Sequence, residues 1–136
     1  MSAAREADPI YEINITAIGP LVEEFTEAGV WVFFRDDAPE ELAEFAMMHH
    51  ADAPREPIAA GQVLEIDSQQ FAITAVGDLA NKNISELGHM VLKANGAPEP
   101  ELPGEVCIEA LPFPQPAIGT ILRVWKESSE VNNGTL

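Results

Sequence analysis

The chain contains few residues of several types that define common protein classes. Its 136 residues include one cysteine, three histidines, one tyrosine and only seven lysine or arginine residues. The single cysteine, Cys107, excludes an internal disulfide and is typical of a reducing compartment. We predict that Cys107 is a small buried side chain of a strand. The scarcity of cations disfavours proteins that bind nucleic acid or anionic membranes by neutralising phosphates.

Long apolar runs are also absent. The longest is VWVFF at 30–34, far shorter than the roughly 18 residues that a membrane-spanning helix requires. The first residues, MSAAREADP, contain neither a basic flank nor an apolar stretch. We therefore expect no secretory signal, no direct membrane insertion and a cytoplasmic location.

Negative charge is what the chain has in excess. Its 23 aspartate and glutamate residues give a formal net charge of −16 at pH 7. Such a surface attracts a partner with a basic face and accelerates their encounter. It also keeps a protein dissolved, for example in a salty cytoplasm. These two interpretations are compatible.

The pattern along the chain predicts one folded domain at 9–126, with flexible ends at 1–8 and 127–136. Alternating apolar and polar residues at 11–17, a further strand from about residue 44, and a hairpin turning at Ser68-Gln69-Gln70 indicate extended structure. We predict an all-β barrel or sandwich of about six to seven short strands with two or three short helices.

Short helices are predicted at three places. Residues 21–28 precede Gly29, Asp37 precedes a helical start, and Asp78 precedes a turn of helix that ends at Gly88. Aspartate at these positions is typical of a helix N-cap, and glycine is typical of a helix end.

The histidines are the residues to which chemistry is most readily assigned. His49 and His50 are adjacent, while His89 follows Gly88. On a strand, successive side chains point to opposite faces, so only one of the adjacent pair can enter a given site. A neutral imidazole is a good nucleophile near pH 7 and accepts a phosphoryl group. The residues alone are also compatible with a pair that has no catalytic role, in which one of the adjacent histidines is exposed and the other is structural.

Several stretches of the chain resemble a known family, the glucitol/sorbitol-specific IIA component of the bacterial sugar phosphotransferase system. The resemblance covers residues 10–126, and the block at 74–96 is its most specific part. The similar stretches are Ile10-Tyr11, Ile18-Gly19, Phe34-Arg35-Asp36-Asp37-Ala38-Pro39, Leu42-Ala43-Glu44-Phe45, TAVGDLANKNISELGHMVLKANG from Thr74 to Gly96, Leu102-Pro103-Gly104 and Gly119-Thr120-Ile121.

The resemblance implies a cytoplasmic phosphocarrier. Such a protein takes a phosphoryl group from the phosphohistidine of the general carrier HPr onto its own histidine. It then passes the group to a cysteine of the IIB component, which phosphorylates a polyol during import by the membrane component IIC. Positioning and stabilisation of the phosphoryl oxygens are sufficient for this exchange, so no metal or organic cofactor is expected.

Counting from Phe45, the resemblance assigns the phosphoryl acceptor to His49. The family usually reads His-X-His-Gly here, whereas this chain has Ala51 in place of the second histidine. A shift of one residue would move the acceptor to His50. His89 matches a Gly-His pair of the family, and it either supports the transfer or holds the start of a strand.

Two other classes of function compete with this interpretation. A cupin-like metal-dependent β-barrel enzyme can use His50, Glu56 and His89 as ligands, although adjacent histidines on a strand do not share one face. The other class is an acidic binding module without chemistry. Neither the polyol nor the oligomeric state is fixed by the sequence.

Overall fold

The structure, a computed structural model, describes residues 8–127, whose backbone is mainly extended. This range contains nine strands and three short helices. The strands are β1 (Tyr11–Asn14), β2 (Ala17–Ile18), β3 (Val30–Arg35), β4 (Met47–His49), β5 (Val63–Ile66), β6 (Gln69–Val76), β7 (Met90–Lys93), β8 (Glu105–Ile108) and β9 (Ile121–Trp125). The helices are α1 (Val22–Glu27), α2 (Glu40–Ala43) and α3 (Ala80–Leu87).

The predicted all-β class with two or three short helices is confirmed, but residues 8–127 form nine strands rather than six or seven. The segment predicted at 11–17 forms two strands, β1 and β2, and β2 has only two residues, too few for a two-residue period to define a separate strand. The strand expected from residue 44 begins at Met47, because α2 and a turn at 44–45 precede it.

The extended segment predicted at 11–17 is divided between two partner strands. β1 pairs antiparallel with β9, whereas β2 pairs antiparallel with β4. Between them, the Ile15 N–H donates to the Thr120 carbonyl at 3.0 Å and the Thr16 N–H donates to the Met48 carbonyl at 2.9 Å. Alternating side chains reveal extended backbone, but they do not show where the chain changes its partner.

The strands form one sheet in the order β1-β9-β5-β6-β8-β7-β3-β4-β2. Its two edge strands, β1 and β2, are separated in the chain by only Ile15 and Thr16. The chain from Asn14 to Ala17 can reach about 10 Å, so the sheet curls until its edges approach each other. An irregularity in the β6–β8 pairing between Ile73 and Ala75 is the kind of bulge that bends a strand.

Strands β3 and β4 are buried on both faces. Their inward side chains Trp31, Phe33 and Met47 join the main core inside the curled sheet. Their outward side chains join a second apolar cluster, which α1 and the segment around α2 cover; it contains Val32, Phe34, Ala46 and Met48, with Phe25, Leu42 and Phe45 packed against them. Burial on both faces explains the continuous apolar run at 30–34.

Helices begin shortly after Asp37 and Asp78 as predicted, but the predicted capping by these aspartates is wrong, whereas the predicted helix ends are confirmed. α2 is preceded directly by Pro39 and α3 by Leu79, and neither start has a side-chain cap. At the start of α3, backbone carbonyls accept two N–H groups: the Leu79 N–H donates to a carbonyl of the 102–104 loop at 2.8 Å, and the Ala80 N–H donates to the Gly77 carbonyl at 3.1 Å. The glycines after α1 and α3 have φ angles of +80° and +62°, the left-handed conformation typical of a helix end.

The β5–β6 hairpin turns one position earlier than predicted. Gln69 already pairs with Ile66, which leaves Asp67 and Ser68 as the turn. Asp67 has a φ of +53°, a conformation that aspartate adopts more readily than most residues. The predicted flexible ends lie outside the described residues, except for Asp8 and Glu127.

Cys107 lies on β8 and is fully buried, as the sequence predicts, and burial raises the pKa of its thiol. Because the reactive species is the thiolate, we expect an aromatic disulfide reagent to label native protein at least roughly 100-fold more slowly than urea-unfolded protein. Absorbance of the released thiolate measures this rate, and the unfolded sample is its control. Equally fast labelling in native buffer would contradict a closed core around β8.

Candidate functional site

His49 ends β4 and points into the interior of the sheet. It shares the inward face of β4 with Met47 and is fully buried. On the neighbouring parallel strand β3, Arg35 is its register partner. Met48 points outward into the second apolar cluster, and His50 is exposed. The expected separation of the adjacent histidines onto different sides of the strand is therefore observed.

Two backbone hydrogen bonds fix the protonation of the His49 ring. The Ala51 N–H donates to Nδ1 at 3.0 Å, and Nε2 lies 2.9 Å from the Gly88 carbonyl oxygen. An N–H can only donate and a carbonyl can only accept, so Nδ1 carries the lone pair and Nε2 carries the proton. Burial lowers the pKa of His49, and the Arg35 charge lowers it further. The ring is therefore a neutral imidazole whose nucleophilic atom is Nδ1.

Arg35 holds three backbone carbonyls around this histidine. Its guanidinium donates from Nε to Ala51 at 3.1 Å and from its terminal nitrogens to Ser85 and Glu86 at 3.3 Å each. The last two carbonyls belong to the final turn of α3, where a cation interacts favourably with the helix dipole. A guanidinium has five N–H groups, so these contacts leave two available to other acceptors. Arg35 thus places a permanent positive charge beside His49.

Gly88 allows the end of α3 to pack against the histidine. Its φ is +62°, and a Cβ added there would lie 2.8 Å from His49 Cε1 and 3.0 Å from both Cβ and N of Arg35. A side chain is therefore excluded both by the backbone conformation and by the neighbouring atoms. The glycine predicted only as a helix end also positions the imidazole.

Tyr11 approaches His49 from the opposite edge of the sheet. The two rings meet edge to face, with centroids 6.5 Å apart and planes at 86°. The Tyr11 hydroxyl is buried and has no hydrogen-bond partner among residues 8–127. Burial raises the pKa of Tyr11, while the nearby Arg35 charge acts in the opposite direction. The phenol therefore keeps its proton at neutral pH.

A shallow cleft lies on the outer side of the meeting edges. It has a volume of about 370 Å³ and is lined by Glu12, Asn14, Thr16, His50 and Ala51. In it, His50 Nδ1 lies 2.9 Å from Asp36 Oδ2, and the His50 side chain is 64% exposed. Ala51 belongs to this cleft while its N–H is bonded to His49. The buried imidazole and the surface cleft are therefore connected through one peptide unit.

His89 is placed on the other side of β3. Its ring stacks on Phe34 with centroids 4.1 Å apart and planes at 10°. Its Nδ1 lies 3.2 Å from the Phe33 carbonyl oxygen. Phe34 belongs to the outer apolar cluster, whereas Arg35 points to the inner face with His49. These contacts hold the start of β7 against β3, and the supporting role for His89 stays a prediction.

The ligands of the alternative metal site are not brought together. His50 pairs with Asp36, Glu56 pairs with Lys126 at 3.2 Å, and His89 stacks on Phe34. Within the described part of the chain, no group of three histidine, cysteine, aspartate or glutamate side chains is placed to hold a metal ion. Likewise, none of the helices between residues 8 and 127 is long and apolar enough to cross a membrane.

Sequence reasoning gave no role to Arg35 or Tyr11, although both lie in stretches that carry the family resemblance. The available signal was composition: Arg35 is one of seven basic residues and directly follows an apolar strand, and Tyr11 is the only tyrosine. Neither fact shows that the two side chains meet at His49.

Gly88→Ala and Gly96→Ala separate backbone strain from packing on the histidine. Both glycines have nearly the same φ, +62° and +63°, but a Cβ at Gly96 meets only Ala110 atoms at 3.6 and 3.7 Å. We expect Gly96→Ala to lower the free energy of unfolding by about 1 kcal/mol and Gly88→Ala to lower it by roughly 1–3 kcal/mol more. Urea unfolding measures both. Equal losses would show that Gly88 does not constrain His49.

The stability should depend on pH in the range where histidines titrate. Burial holds the pKa of His49 below the ordinary value of 6.5, and it also lowers that of His89. Below pH 6.5 the unfolded chain therefore binds more protons than the folded chain, so the free energy of unfolding decreases as pH falls. We expect urea titrations at about pH 7.5 and 5.5 to show this loss, and His49→Gln to reduce it. An unchanged pH dependence in that variant would contradict a neutral buried His49.

Comparisons with known proteins agree on one family. The sequence model described as "PTS system glucitol/sorbitol-specific IIA component" matches residues 10–123. The chain is 32% identical over 115 residues to the "PTS system glucitol/sorbitol-specific EIIA component" of Shigella flexneri and to that of Escherichia coli (strain K12). Each match covers 84% of this chain and 93% of the relative.

A solved structure shares the fold. The crystal structure of the PTS system IIA component from Enterococcus faecalis V583 superposes with a TM-score of 0.74 at 24% identity, over 82% of this chain and 96% of that one. The family match at 10–123 covers the strands and helices that build the His49 site. The chain therefore belongs to the family of glucitol/sorbitol-specific IIA components of the sugar phosphotransferase system.

Proposed function

We propose that this protein is a phosphocarrier that accepts a phosphoryl group from phospho-HPr on His49. It passes the group to the cysteine of a IIB component, for import and phosphorylation of a polyol by the membrane component IIC. The observation that carries this proposal is the pair of backbone hydrogen bonds at His49, because they fix a neutral ring with its lone pair on Nδ1. Family membership supports the same role.

The proposed reaction exchanges one bond to phosphorus for another. The Nδ1 lone pair of His49 attacks phosphorus, and the P–N bond of phospho-HPr breaks, leaving its electron pair on the HPr ring. The proton stays on Nε2, which donates it to the Gly88 carbonyl oxygen, so His49 neither gains nor loses a proton. In the second transfer the IIB thiolate attacks, and the electron pair returns to Nδ1. Such transfers depend mainly on positioning and electrostatic stabilisation, so the proposal includes no metal or organic cofactor.

Access to His49 requires a local movement. The ring is fully buried, and the Ala51 N–H occupies the lone pair that must attack phosphorus. Residues 50–62 form neither helix nor strand, and such segments open at lower free energy than paired strands. In the proposed mechanism, a partner docking over the cleft displaces Ala51 and uncovers Nδ1.

His50 is the alternative acceptor for the same reaction. Its exposure favours it, and the Asp36 carboxylate can hold its Nδ1 proton and leave Nε2 free. His49 is preferred because it occupies the position implied by the family pattern and lies beside the Arg35 charge. A dianionic phosphoryl group at His50 would instead face the Asp36 carboxylate.

The proposed role also implies a cellular location and a set of partners. We place it in the cytoplasm as a single IIA domain at 9–126, where HPr and the IIB component are its partners. The net charge of −16 favours partners with basic faces and disfavours nucleic acid and anionic membranes.

Phosphorylation of matched glutamine variants tests the acceptor. His49→Gln retains an amide that can donate to the Gly88 carbonyl but lacks the nucleophile, so we expect it to fold and to take no phosphoryl group from phosphorylated HPr. His50→Gln should be labelled like the wild type. Mass spectrometry maps the label, and acid lability identifies a P–N bond.

Other outcomes have definite meanings. Label that persists in His49→Gln and disappears in His50→Gln would transfer the role to His50. A wild-type chain that takes no label from phosphorylated HPr would contradict the phosphocarrier proposal and favour an acidic binding module.

A further inference from the structure

The Tyr11 hydroxyl is a buried polar group that the fold itself does not use. Tyr11 is 3% exposed, and its hydroxyl oxygen has no hydrogen-bond partner among residues 8–127. Buried polar groups almost always have a partner, because leaving one unpaired costs the desolvation of that group. An apolar residue of the same shape, phenylalanine, would avoid this cost. Stabilisation of the fold therefore does not explain why this position carries a hydroxyl.

Its location connects it with the proposed acceptor. Tyr11 lies on the inward face of β1, and its ring meets the His49 ring edge to face at 6.5 Å. The two residues come from strands that the curled sheet brings together, β1 near one edge and β4 near the other. The hydroxyl is thus buried on the same side of the sheet as the His49 ring.

The charge around the hydroxyl suits an anion. The guanidinium of Arg35 acts electrostatically on both Tyr11 and His49. Three of its five N–H groups are bonded to carbonyls, which leaves two. A protonated phenol and a fixed cation are both donors, and a phosphoryl group offers oxygens that accept from either.

We propose that the Tyr11 hydroxyl donates a hydrogen bond to an oxygen of the phosphoryl group on His49, beside the Arg35 guanidinium. This inference rests on the proposed function and makes Tyr11 a catalytic residue of the transfer. The hydroxyl keeps its proton throughout, since it donates a hydrogen bond and transfers nothing. Its effect is to stabilise the negative charge on the phosphoryl oxygens as the bond to phosphorus forms and breaks.

Tyr11→Phe and Thr74→Val should have opposite effects. Tyr11→Phe removes an unpartnered oxygen, so we expect stability equal to or higher than that of the wild type, but transfer from phospho-HPr slowed about 10²- to 10³-fold. Thr74 Oγ1 donates to the Ala97 carbonyl at 2.7 Å, away from His49. Thr74→Val should therefore lower stability and leave the transfer rate unchanged. Urea unfolding and rapid-quench kinetics measure the two quantities.

A second measurement keeps the test independent of that variant. Tyr11 is the only tyrosine, so biosynthetic 3-fluorotyrosine labels it uniquely. We expect its ¹⁹F resonance to shift when His49 is phosphorylated, and an unchanged resonance would overturn the inference. Transfer within about twofold of wild type in Tyr11→Phe would do the same while leaving the phosphocarrier proposal intact. A wild-type chain without phosphoryl label would overturn both proposals.

Discussion

The short link between the two edge strands is the constraint on which the rest of this structure depends. β1 and β2 lie at opposite ends of the strand order but are joined through Ile15 and Thr16 alone. Each linking residue is bonded to a different side, to the Thr120 and Met48 carbonyls respectively. A flat sheet of nine strands cannot satisfy this link, so the sheet curls and encloses its core. The same curl brings Tyr11 to His49.

The environment of His49 is made by backbone atoms rather than by side-chain carboxylates. An amide of residue 51 and a carbonyl of residue 88 fix the ring, and Arg35 ties the same two segments together through their carbonyls. These backbone groups do not titrate, so the only titrating member of the arrangement is the ring itself, at the Nδ1 that accepts from the Ala51 N–H. In a chain with 23 acidic residues, no carboxylate is among the hydrogen-bond partners of the His49 ring in the described part of the chain, although the Asp36 charge still acts on it through space.

Structural features that depend on neighbouring residues, such as strands and helix ends, were predicted well from the sequence. Alternation identified most of the strands, and Gly29 and Gly88 marked helix ends because a left-handed φ has a strong residue preference. Aspartate as a cap was a weaker guide, since α3 satisfies its first N–H groups with backbone carbonyls instead.

Features that depend on long-range contacts were harder to predict from the sequence. His49 was identified as the candidate acceptor by the family pattern and not by residue spacing. The positions of Tyr11 and Arg35 beside His49 depend on the register of β3 with β4 and on the closure of the sheet. Neither the register nor the closure can be predicted from a single sequence. For His89, the Gly-His pair left open support of the transfer or anchoring of a strand; the ring stacks on Phe34 at the start of β7, and the supporting role stays a prediction.

The hydrogen bond between the Ala51 amide and His49 bears on how the protein distinguishes its phosphoryl donor from its phosphoryl acceptor. A phosphoryl group on Nδ1 uses the lone pair that this amide requires, so the bond and the phosphorylated state are mutually exclusive. Under the proposed function, loading the histidine changes the conformation of a residue that lines the surface cleft. The loaded and empty forms then present different surfaces, which allows the donor to leave and the acceptor to be recognised at one and the same place.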